Sequence, residues 1–432
     1  MYRKFEDELK DWKQNKKKKP LLVKGARQVG KTWTIRKFAS ENYDYIIEIN
    51  FELDHDYMDL FEKTIKPDEI LAFIELANLD KDLSHGDTLL FLDEIQACPR
   101  AITALKFLYE KCPYDVIASG SMLGVAIAHT SSFPVGYVDT RELHPMDFEE
   151  FLLAMNAKPQ HIQMLKDACH HRKPFMESIH QLFLKYFKDY MLCGGMPEVV
   201  QCYVETKNWK QVILTQRRIV SDYTNDMAKY APASDKIKVH ECFSSIPLQL
   251  AKDNKKFQYK VVKEGYNARY YDASLRWLSD SGLIMPVHRL KCIDFPLEVY
   301  EQLSIFKVYM FDTGLLISLF NEAVIAKIHT GDLGIFKGAI YENMAAQIMY
   351  ANHKAMYYFE PNTSSEIDFV TYCENEITPI EIKSGVNTRS KSFDNFVKQY
   401  HSKIAYRFSE KNIGESDGVI RYLPIYLLPF IF

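Results

Sequence analysis

Apolar runs alternate with segments of helical periodicity over the first 155 residues. The predicted strands are a short run beginning at Leu21 and residues 45–51, 88–94, 114–120 and 137–143, and the predicted helices are residues 1–14, 33–39, 70–76, 99–110 and 148–155. The third strand is apolar without alternation, which is typical of a parallel strand buried on both faces. Five strands joined through helices predict a right-handed α/β sheet with its loops at one edge.

The second half of the chain has a different pattern. Residues 215–230, 239–250 and 267–280 are predicted helices, and residues 284–290 and 305–311 are predicted strands. Two helices, a glycine break and a strand pair are the plan of a winged helix. A helix over residues 338–350 and strands over 356–360, 366–370 and 379–383 follow. The expected domains are therefore 1–155, 156–235 (helical connection), 236–325 (winged-helix-like) and 326–432.

Composition restricts the classes of protein. The 432 residues carry a net charge of −3, which argues against a globally basic nucleic-acid binder but leaves local basic patches open. The eight cysteines are scattered without metal-type spacing, as expected for reduced thiols. The polar N-terminus and the lack of an apolar stretch of about 20 residues predict a cytoplasmic protein with no membrane partner. The apolar residues 422–432 are expected to form a buried terminal strand or a contact surface for a partner.

The most specific motif lies between the first strand and the second predicted helix. Residues 25–32 fit G-x-x-x-x-G-K-[ST], the phosphate-binding P-loop. Glycines permit close approach of the backbone to phosphate, Lys31 would reach the β- and γ-phosphates, and Thr32 would offer its hydroxyl to Mg²⁺. The alternative is an ordinary strand–turn–helix. The candidate ATP-binding residues are Gly25, Ala26, Arg27, Gln28, Val29, Gly30, Lys31, Thr32 and Trp33, with Lys31 also a candidate catalytic residue.

Polar residues at the ends of two later strands complete this site. Asp93 would hold Mg²⁺ together with Thr32, and Glu94 would polarise the attacking water as the catalytic base. Without a P-loop upstream, such an acidic pair would equally fit a helix N-terminus. Ser119 and Ser121 end the following strand, and both are candidates for a γ-phosphate sensor.

This order of motifs resembles the AAA-type ATPases of the additional-strand class. Three later stretches, residues 144–151, 194–199 and 306–316, are similar to a prokaryotic family in which this ATPase precedes a C-terminal domain of unknown function. The resemblance implies a P-loop AAA-type parallel sheet with helices on both faces, followed by a winged-helix segment and a small restriction-endonuclease-like α/β domain. It also implies a homo-oligomer that shares an arginine, for which Arg100 and Arg141 are candidates. The family often has Arg or Lys where this chain has Tyr137, so a role between subunits at that position is not expected.

A second set of candidate residues lies in the last third of the chain. An acid followed by E-x-K on a strand resembles the PD-(D/E)-x-K nuclease core. Alternation along a strand places Glu381 and Lys383 on one face. Asp368 and Glu381 would hold a second divalent metal, Lys383 would steady water or phosphate, and Glu342 would add a carboxylate for metal-assisted phosphodiester hydrolysis. Exposed strands with E-x-K salt bridges are the alternative interpretation.

Positively charged residues around the second winged-helix-like helix raise the possibility of DNA contact. They are Lys255, Lys256, Lys260, Lys263, Arg269 and Arg276. The leading hypothesis is an ATP-binding, ATP-hydrolysing AAA-type protein coupled to a DNA-associated, nuclease-like module. The alternatives are a nucleotide-gated DNA- or protein-binding module without nuclease chemistry, and a structural oligomer with a slow ATP site.

Overall fold

The protein is described by a computed structural model that covers residues 1–83, 85–125, 133–252, 254–329, 334–362, 365–385, 390–415 and 418–432. The chain divides into two compact units. The N-terminal unit is Met1–His144 with Asp280–Gly282, and the C-terminal unit is Pro145–Ser279 with Leu283–Phe432. The four domain limits drawn from the sequence are finer than this division and stay predictions.

The N-terminal unit is built on a parallel sheet of five strands, as predicted. Its strands are β1 (Leu21–Lys24), β2 (Tyr45–Asn50), β3 (Thr88–Asp93), β4 (Asp115–Gly120) and β5 (Asp139–Glu142). Its helices are α1 (Phe5–Gln14), α2 (Lys31–Asn42), α3 (His55–Lys63), α4 (Pro67–Ala77) and α5 (Pro99–Lys111). The strand order β2-β3-β4-β1-β5 inserts β4 between the P-loop strand and β3. The strand predicted between the P-loop and Asp93 along the chain, residues 45–51, is β2, and it lies at the edge of the sheet next to β3.

The core of this unit follows from the apolar pattern of its strands. Every residue of β3 is buried, so this strand has no solvent-facing side. Ile47 and Ile49 of β2 pack in one cluster with Leu90 and Leu92 of β3. Burying aliphatic side chains in this way stabilises the fold by roughly 1.5–3 kcal/mol each. The sheet therefore holds the ends of β1, β3 and β4, from which the candidate site residues project, in a fixed arrangement.

The C-terminal unit combines helices with a mixed sheet of seven strands. The helices are α6 (Phe148–Ala154), α7 (Pro159–His171), α8 (Glu177–Cys193), α9 (Pro197–Thr206), α10 (Trp209–Tyr230), α11 (Lys236–Leu250), α12 (Tyr259–Val262), α13 (Ala268–Asp280), α14 (Thr313–Ser318), α15 (Glu322–His329), α16 (Lys337–Ala351) and α17 (Lys391–Gln399). The strands are β6 (Ile284–Leu290), β7 (Glu301–Met310), β8 (Tyr357–Asn362), β9 (Ser365–Cys373), β10 (Glu376–Ile382), β11 (Ala405–Ser409) and β12 (Ile420–Pro424). The order is β12-β11-β10-β9-β8-β6-β7.

The strand pair expected to form a separate wing belongs to this larger sheet. β6 pairs with β7 on one side and, in parallel, with β8 on the other. Sequence pattern identifies both strands of the pair, but it does not reveal the second partner of β6, because strand pairing over more than 60 residues is decided by tertiary packing. The helices α11 and α13 precede the pair as predicted.

Two of the motifs that carry the family resemblance meet around one buried carboxylate, and the third joins them through Gly195. Asp312 is fully buried, and its Oδ2 and Oδ1 accept hydrogen bonds from the backbone N–H groups of Gly195 at 2.7 Å and Leu315 at 2.9 Å. The Gly195 carbonyl accepts from the N–H of Met146 at 2.6 Å. Gly194 has φ +78°, and a Cβ there would lie 2.3 Å from Asp312 Oδ1. The three motifs thus form one structural joint within the C-terminal unit.

Residues 423–428 of the apolar C-terminal segment are buried as expected, but only the first residues of the segment form a strand. β12 ends at Pro424, and a 3₁₀-helix follows over Ile425–Phe430. The four apolar residues 425–428 have no exposed surface. Proline lacks a backbone N–H and cannot continue a ladder of strand hydrogen bonds, which explains why a longer strand does not form. Among the described residues, no helix is long and apolar enough to cross a membrane.

Candidate nucleotide-binding site and a second acidic cluster

The phosphate-binding loop connects β1 to the N-terminus of α2. Gly30 adopts φ +97° directly before this helix, and Gly25 adopts φ +150° at the start of the loop. A Cβ on Gly25 would lie 2.3 Å from the carbonyl oxygen of Leu143, so only glycine fits at that position. A glycine-bounded loop at a helix N-terminus is a cradle for phosphate, because its N–H groups and the helix dipole favour anions.

Lys31 lies folded against the loop that it follows. Its Nζ donates to the carbonyl oxygens of Gly25 at 3.0 Å and Ala26 at 2.9 Å. Burial lowers the pKa of Lys31 to about 8, although the carboxylates of Glu94 and Asp93 act in the opposite direction. The ammonium group is therefore partly stripped of water and held against the backbone of the loop.

Asp93 is the centre of the polar contacts at the end of β3. Its carboxylate accepts hydrogen bonds from Thr32 Oγ1 at 3.0 Å, from Ser119 Oγ and from Asn50 Nδ2 at 3.4 Å. Burial raises the pKa of Asp93, while the Ser119 hydrogen bond lowers it. A hydroxyl and a carboxylate side by side are hard oxygen ligands of the kind Mg²⁺ prefers, so these residues fit that ion.

Glu94 makes a separate set of contacts beside Asp93. It has φ +51°, in the left-handed region, which turns its side chain away from the strand direction. Its Oε2 accepts from Ser121 Oγ at 3.1 Å and from Gln96 Nε2 at 2.6 Å. The two candidate serines thus have different partners. Ser119 contacts Asp93, the candidate Mg²⁺ ligand, and Ser121 contacts Glu94, the candidate base.

Two residues of this site were missed by the sequence analysis. Asn50 ends β2, where it is paired in register with Asp93 of β3. Gln96 follows two residues after Glu94 in the 3₁₀-helix Ile95–Ala97. The signal for Asn50 was a polar residue at the carboxyl end of a parallel strand, the edge where ligands bind in open α/β sheets.

The remaining predicted residues of this unit have varied surroundings. Ala26 and Val29 are buried, Trp33 is half exposed, and Arg27 lies 3.9 Å from Glu52. Arg100 donates from Nε to the carbonyl of Phe61 at 3.1 Å. Arg141 is exposed on β5, 3.7 Å from Glu8. Arg100 and Arg141 are both exposed, so both stay candidates for a residue shared between subunits.

In the C-terminal unit the acids that converge differ from the predicted set. Glu342 and Asp368 come together with Glu366, which the sequence analysis did not select, and their ligand atoms lie within 4.8 Å of one another. Burial and the neighbouring Glu342 carboxylate raise the pKa of Asp368. Glu366 and Asp368 alternate on β9, so the period of two along a strand would have indicated that they share a face.

Two lysines are inserted among these acids. The fully buried Lys307 lies 3.6 Å from Glu342 Oε2 and forms an ion pair with Glu366. Lys255 forms an ion pair with Glu342, which also accepts from the hydroxyl of Tyr309 at 3.0 Å. Burial alone would raise the pKa of Glu342, but the two lysines lower it. The acids are therefore neutralised to a large extent by amines of the same chain.

Glu381 and Lys383 are held elsewhere by their own partners. The carboxylate of Glu381 is buried, 2.7 Å from Arg407 Nε and 2.8 Å from Lys383 Nζ. Arg407 in turn contacts Asp394 at 2.6 Å. Asp368 accepts from the backbone N–H of Ile382 at 2.7 Å, so the acid and the E-x-K strand are adjacent. Glu381 is nevertheless outside the acidic group described above.

Four of the six predicted cations near α13 are exposed. Lys260, Lys263, Arg269 and Arg276 are exposed, although Lys263 lies 3.5 Å from Glu241. Lys255 and Lys256 are less exposed and pair with Glu342 and Glu360. Tyr266 and Tyr270 are more than a third exposed beside them. We name the four exposed cations the α13 basic surface.

Family comparisons agree with the geometry of the N-terminal unit. Residues 17–152 match a family model described as "AAA domain". Residues 184–324 and 337–428 match two models described as domains of unknown function, DUF8612 and DUF4143. No curated protein matches. The chain therefore carries an AAA-type P-loop ATPase domain, while the winged-helix and nuclease-like interpretations of the remainder stay predictions.

The chain is also similar to several solved structures. A Walker-type ATPase of Pyrococcus abyssi is 15% identical with a TM-score of 0.46, over 74% of this chain and 95% of that chain. The ORC1 protein of Aeropyrum pernix in complex with DNA is 12% identical with a TM-score of 0.28, over 75% and 92%. A STAND protein with a tetratricopeptide repeat sensor from Pyrococcus horikoshii is 12% identical with a TM-score of 0.25, over 77% and 43%. Likenesses of this size carry no argument about function.

Proposed function

We propose that the N-terminal unit binds ATP with Mg²⁺ and hydrolyses it. The observation that carries this proposal is the contact between Thr32 and Asp93 at 3.0 Å, directly behind the phosphate-binding loop and beside Glu94. Bound Mg²⁺ would neutralise phosphate charge during phosphoryl transfer. Loop, hydroxyl and two acids in this order supply each group that such a reaction needs.

The roles of the chain's own residues follow from their contacts. Lys31 exchanges the carbonyls of Gly25 and Ala26 for phosphate oxygens when nucleotide enters, which stabilises its charged form. Glu94 orients the attacking water and accepts its proton. We assign Ser121 to sensing the γ-phosphate. Its hydroxyl donates to Glu94, so a contact between Ser121 and the γ-phosphate would change the hydrogen bonding of the catalytic base.

Two variants test this assignment. Lys31→Ala should abolish ATP binding, and Glu94→Gln should bind ATP but hydrolyse it at least 100-fold more slowly, as expected for loss of a general base. Lys111→Ala, which removes an exposed lysine paired with Asp68, is the matched control. Normal binding and turnover by the purified Lys31→Ala protein would eliminate the ATPase assignment.

For the C-terminal unit we propose a nucleotide-gated binding module without nuclease chemistry. The observation that favours this function over a metal-dependent nuclease is the pairing of the acids with Lys307 and Lys255. A divalent cation next to two ammonium groups in a buried region would meet strong repulsion. Plasmid cleavage with Mg²⁺ or Mn²⁺ tests the proposal. Cutting by the wild type that is lost in Asp368→Ala would restore the nuclease hypothesis with its second metal.

We propose DNA as the partner of this unit, through the α13 basic surface. Exposed cations beside exposed tyrosines suit phosphate contacts and base stacking. Arg269→Ala with Arg276→Ala should weaken binding to duplex DNA about tenfold and reduce its salt dependence. Fluorescence anisotropy measures both effects, and Arg172→Ala is a control on a different helix end. Wild-type affinity in the double variant would favour a protein partner instead.

We further propose that ATP hydrolysis requires a second copy of the chain. Arg141 is exposed on β5, where it can reach a neighbouring subunit. Specific ATPase activity that falls on dilution, together with loss of activity in Arg141→Ala, is the expected result. Activity per chain that is independent of concentration would contradict a shared site.

A further inference from the structure

A buried arginine lies behind the phosphate-binding loop, outside the segment that matches the AAA domain. Arg3 precedes α1 and is 3% exposed. Its guanidinium donates to the carbonyl oxygen of Val29 at 2.6 Å and to that of His144 at 2.7 Å. One side chain thus bridges the P-loop and His144, two residues after the end of β5. Charge-assisted hydrogen bonds of this kind are roughly twice as strong as neutral ones.

The contact with Val29 acts on the peptide that leads into Gly30. In a trans peptide unit the carbonyl of one residue and the N–H of the next point in opposite directions. The guanidinium on the Val29 carbonyl therefore directs the Gly30 N–H to the other side of the loop. It also polarises this peptide, because hydrogen bonds in series strengthen one another.

Arg3 is itself held in place through Glu6, which forms an ion pair with α2. Its backbone N–H donates to Glu6 Oε1 at 3.1 Å, and Glu6 Oε2 lies 2.6 Å from Lys37 Nζ on α2. Glu6 is 3% exposed. The N-terminal segment is thus tied to the P-loop helix as well as to the loop, which prevents Arg3 from leaving the Val29 carbonyl easily.

We propose that Arg3 is a positioning residue for the phosphate-binding loop and sets its affinity for the phosphates of ATP. The inference rests on the proposed ATP-binding function and extends it to a segment before the ATPase domain. In this role Arg3 acts through the orientation of the Gly30 N–H and not through the chemistry of hydrolysis. Without Arg3 the peptide between Val29 and Gly30 would become ordered only when ATP binds. The free-energy cost of ordering it would weaken binding.

The test compares Arg3→Gln with the wild type. The dissociation constant for a non-hydrolysable ATP analogue with Mg²⁺, measured by calorimetry well below the melting temperature, should rise about tenfold, which corresponds to about 1.4 kcal/mol. The kcat at saturating ATP should remain within about twofold, because Glu94 and Ser121 are untouched. Arg3→Lys should show a smaller rise of about threefold, since an ammonium lacks the fork that reaches two carbonyls.

Controls separate this effect from loss of folding and from failure of the proposed function. Arg36→Gln removes an exposed arginine of α2 that pairs with Glu48 and should bind as the wild type does. If Arg3→Gln does not fold, the dissociation constant of the Arg3→Lys variant tests the inference. Folded Arg3 variants with wild-type affinity would overturn this inference alone. A wild-type protein that binds no ATP would overturn the proposed function, and this inference with it.

Discussion

The buried carboxylate of Asp312 should make the stability of the C-terminal unit depend on pH in an unusual direction. Burial raises its pKa from the ordinary 3.8 to about 6, even though backbone N–H groups of Gly195 and Leu315 act to lower it. The folded protein therefore holds this proton more tightly than the unfolded chain does. The stabilisation is complete below about pH 4 and is lost as the pH rises through about 6.

The magnitude follows from this change in pKa. Each pKa unit is worth about 1.4 kcal/mol, so ionised Asp312 costs the folded unit about 3 kcal/mol relative to the protonated acid. About half of this difference falls between pH 5 and pH 7.5. Asp312→Asn removes the titration. The amide N–H₂ of the asparagine also faces a backbone N–H, which lowers the free energy of unfolding of this variant by about 1–3 kcal/mol at every pH.

Urea unfolding of both proteins at about pH 5 and about pH 7.5 measures this effect. Tryptophan fluorescence reports on the unit through Trp209 and the buried Trp277. The deficit of Asp312→Asn should shrink by roughly 1.4 kcal/mol as the pH rises. Asp167→Asn, an exposed position on α7, is the control. A deficit that grows with pH would mean that the ionised carboxylate stabilises the joint, and the reasoning would be wrong.

Three further predictions concern the two sites. Gly25→Ala places a Cβ against the Leu143 carbonyl, so calorimetry should show at least tenfold weaker ATP binding, with a loss of about 1–3 kcal/mol of stability in thermal unfolding. Lys307→Met removes one of the two amines that neutralise the acids and should cost about 3–5 kcal/mol, and Mn²⁺ should raise the melting temperature of this variant but not of the wild type. Gln96→Ala removes one of the two hydrogen bonds that orient the Glu94 carboxylate and should lower kcat about tenfold at unchanged KM in a steady-state ATPase assay.

Matched variants make these outcomes decisive. Gly136 has φ +82° with no atom within 4 Å of an added Cβ, so Gly136→Ala isolates backbone strain from the steric clash at Gly25. Equal loss of ATP binding in both alanine variants would refute the steric argument. Lys111→Met is the exposed counterpart of Lys307→Met. If Mn²⁺ stabilises wild type and Lys307→Met equally, the lysine does not exclude metal from the acids.

Sequence pattern was sufficient for the N-terminal sheet because its signals are local. The continuous apolar run of β3 predicted burial on both faces, and the glycines around the P-loop predicted a turn that other residues cannot make. The strands predicted over residues 45–51 and 114–120 are β2 and β4. Periodicity, glycine geometry and motif spacing depend on neighbours in the chain, so one sequence contains them.

The C-terminal unit was harder to predict because its contacts join distant segments. The acid group combines Glu342 of α16 with Glu366 and Asp368 of β9, and the neutralising Lys307 comes from β7. The E-x-K pattern correctly placed Glu381 near Lys383, but it did not reveal that Arg407 forms an ion pair with the Glu381 carboxylate. A motif states which side chains share a face, whereas ion pairing depends on the strand that becomes the neighbour.

By itself the sequence determined that this protein has a P-loop sheet with the Thr32 hydroxyl at the start of the following helix, and with two acids and two serines at strand ends. Only the tertiary structure decided which serine contacts which acid, that Arg3 lies behind Val29, and that lysines occupy the space between the C-terminal acids. The physical reason is distance along the chain. Local backbone preferences depend on adjacent residues. A hydrogen bond or ion pair between residues far apart in the chain forms only once both segments are packed.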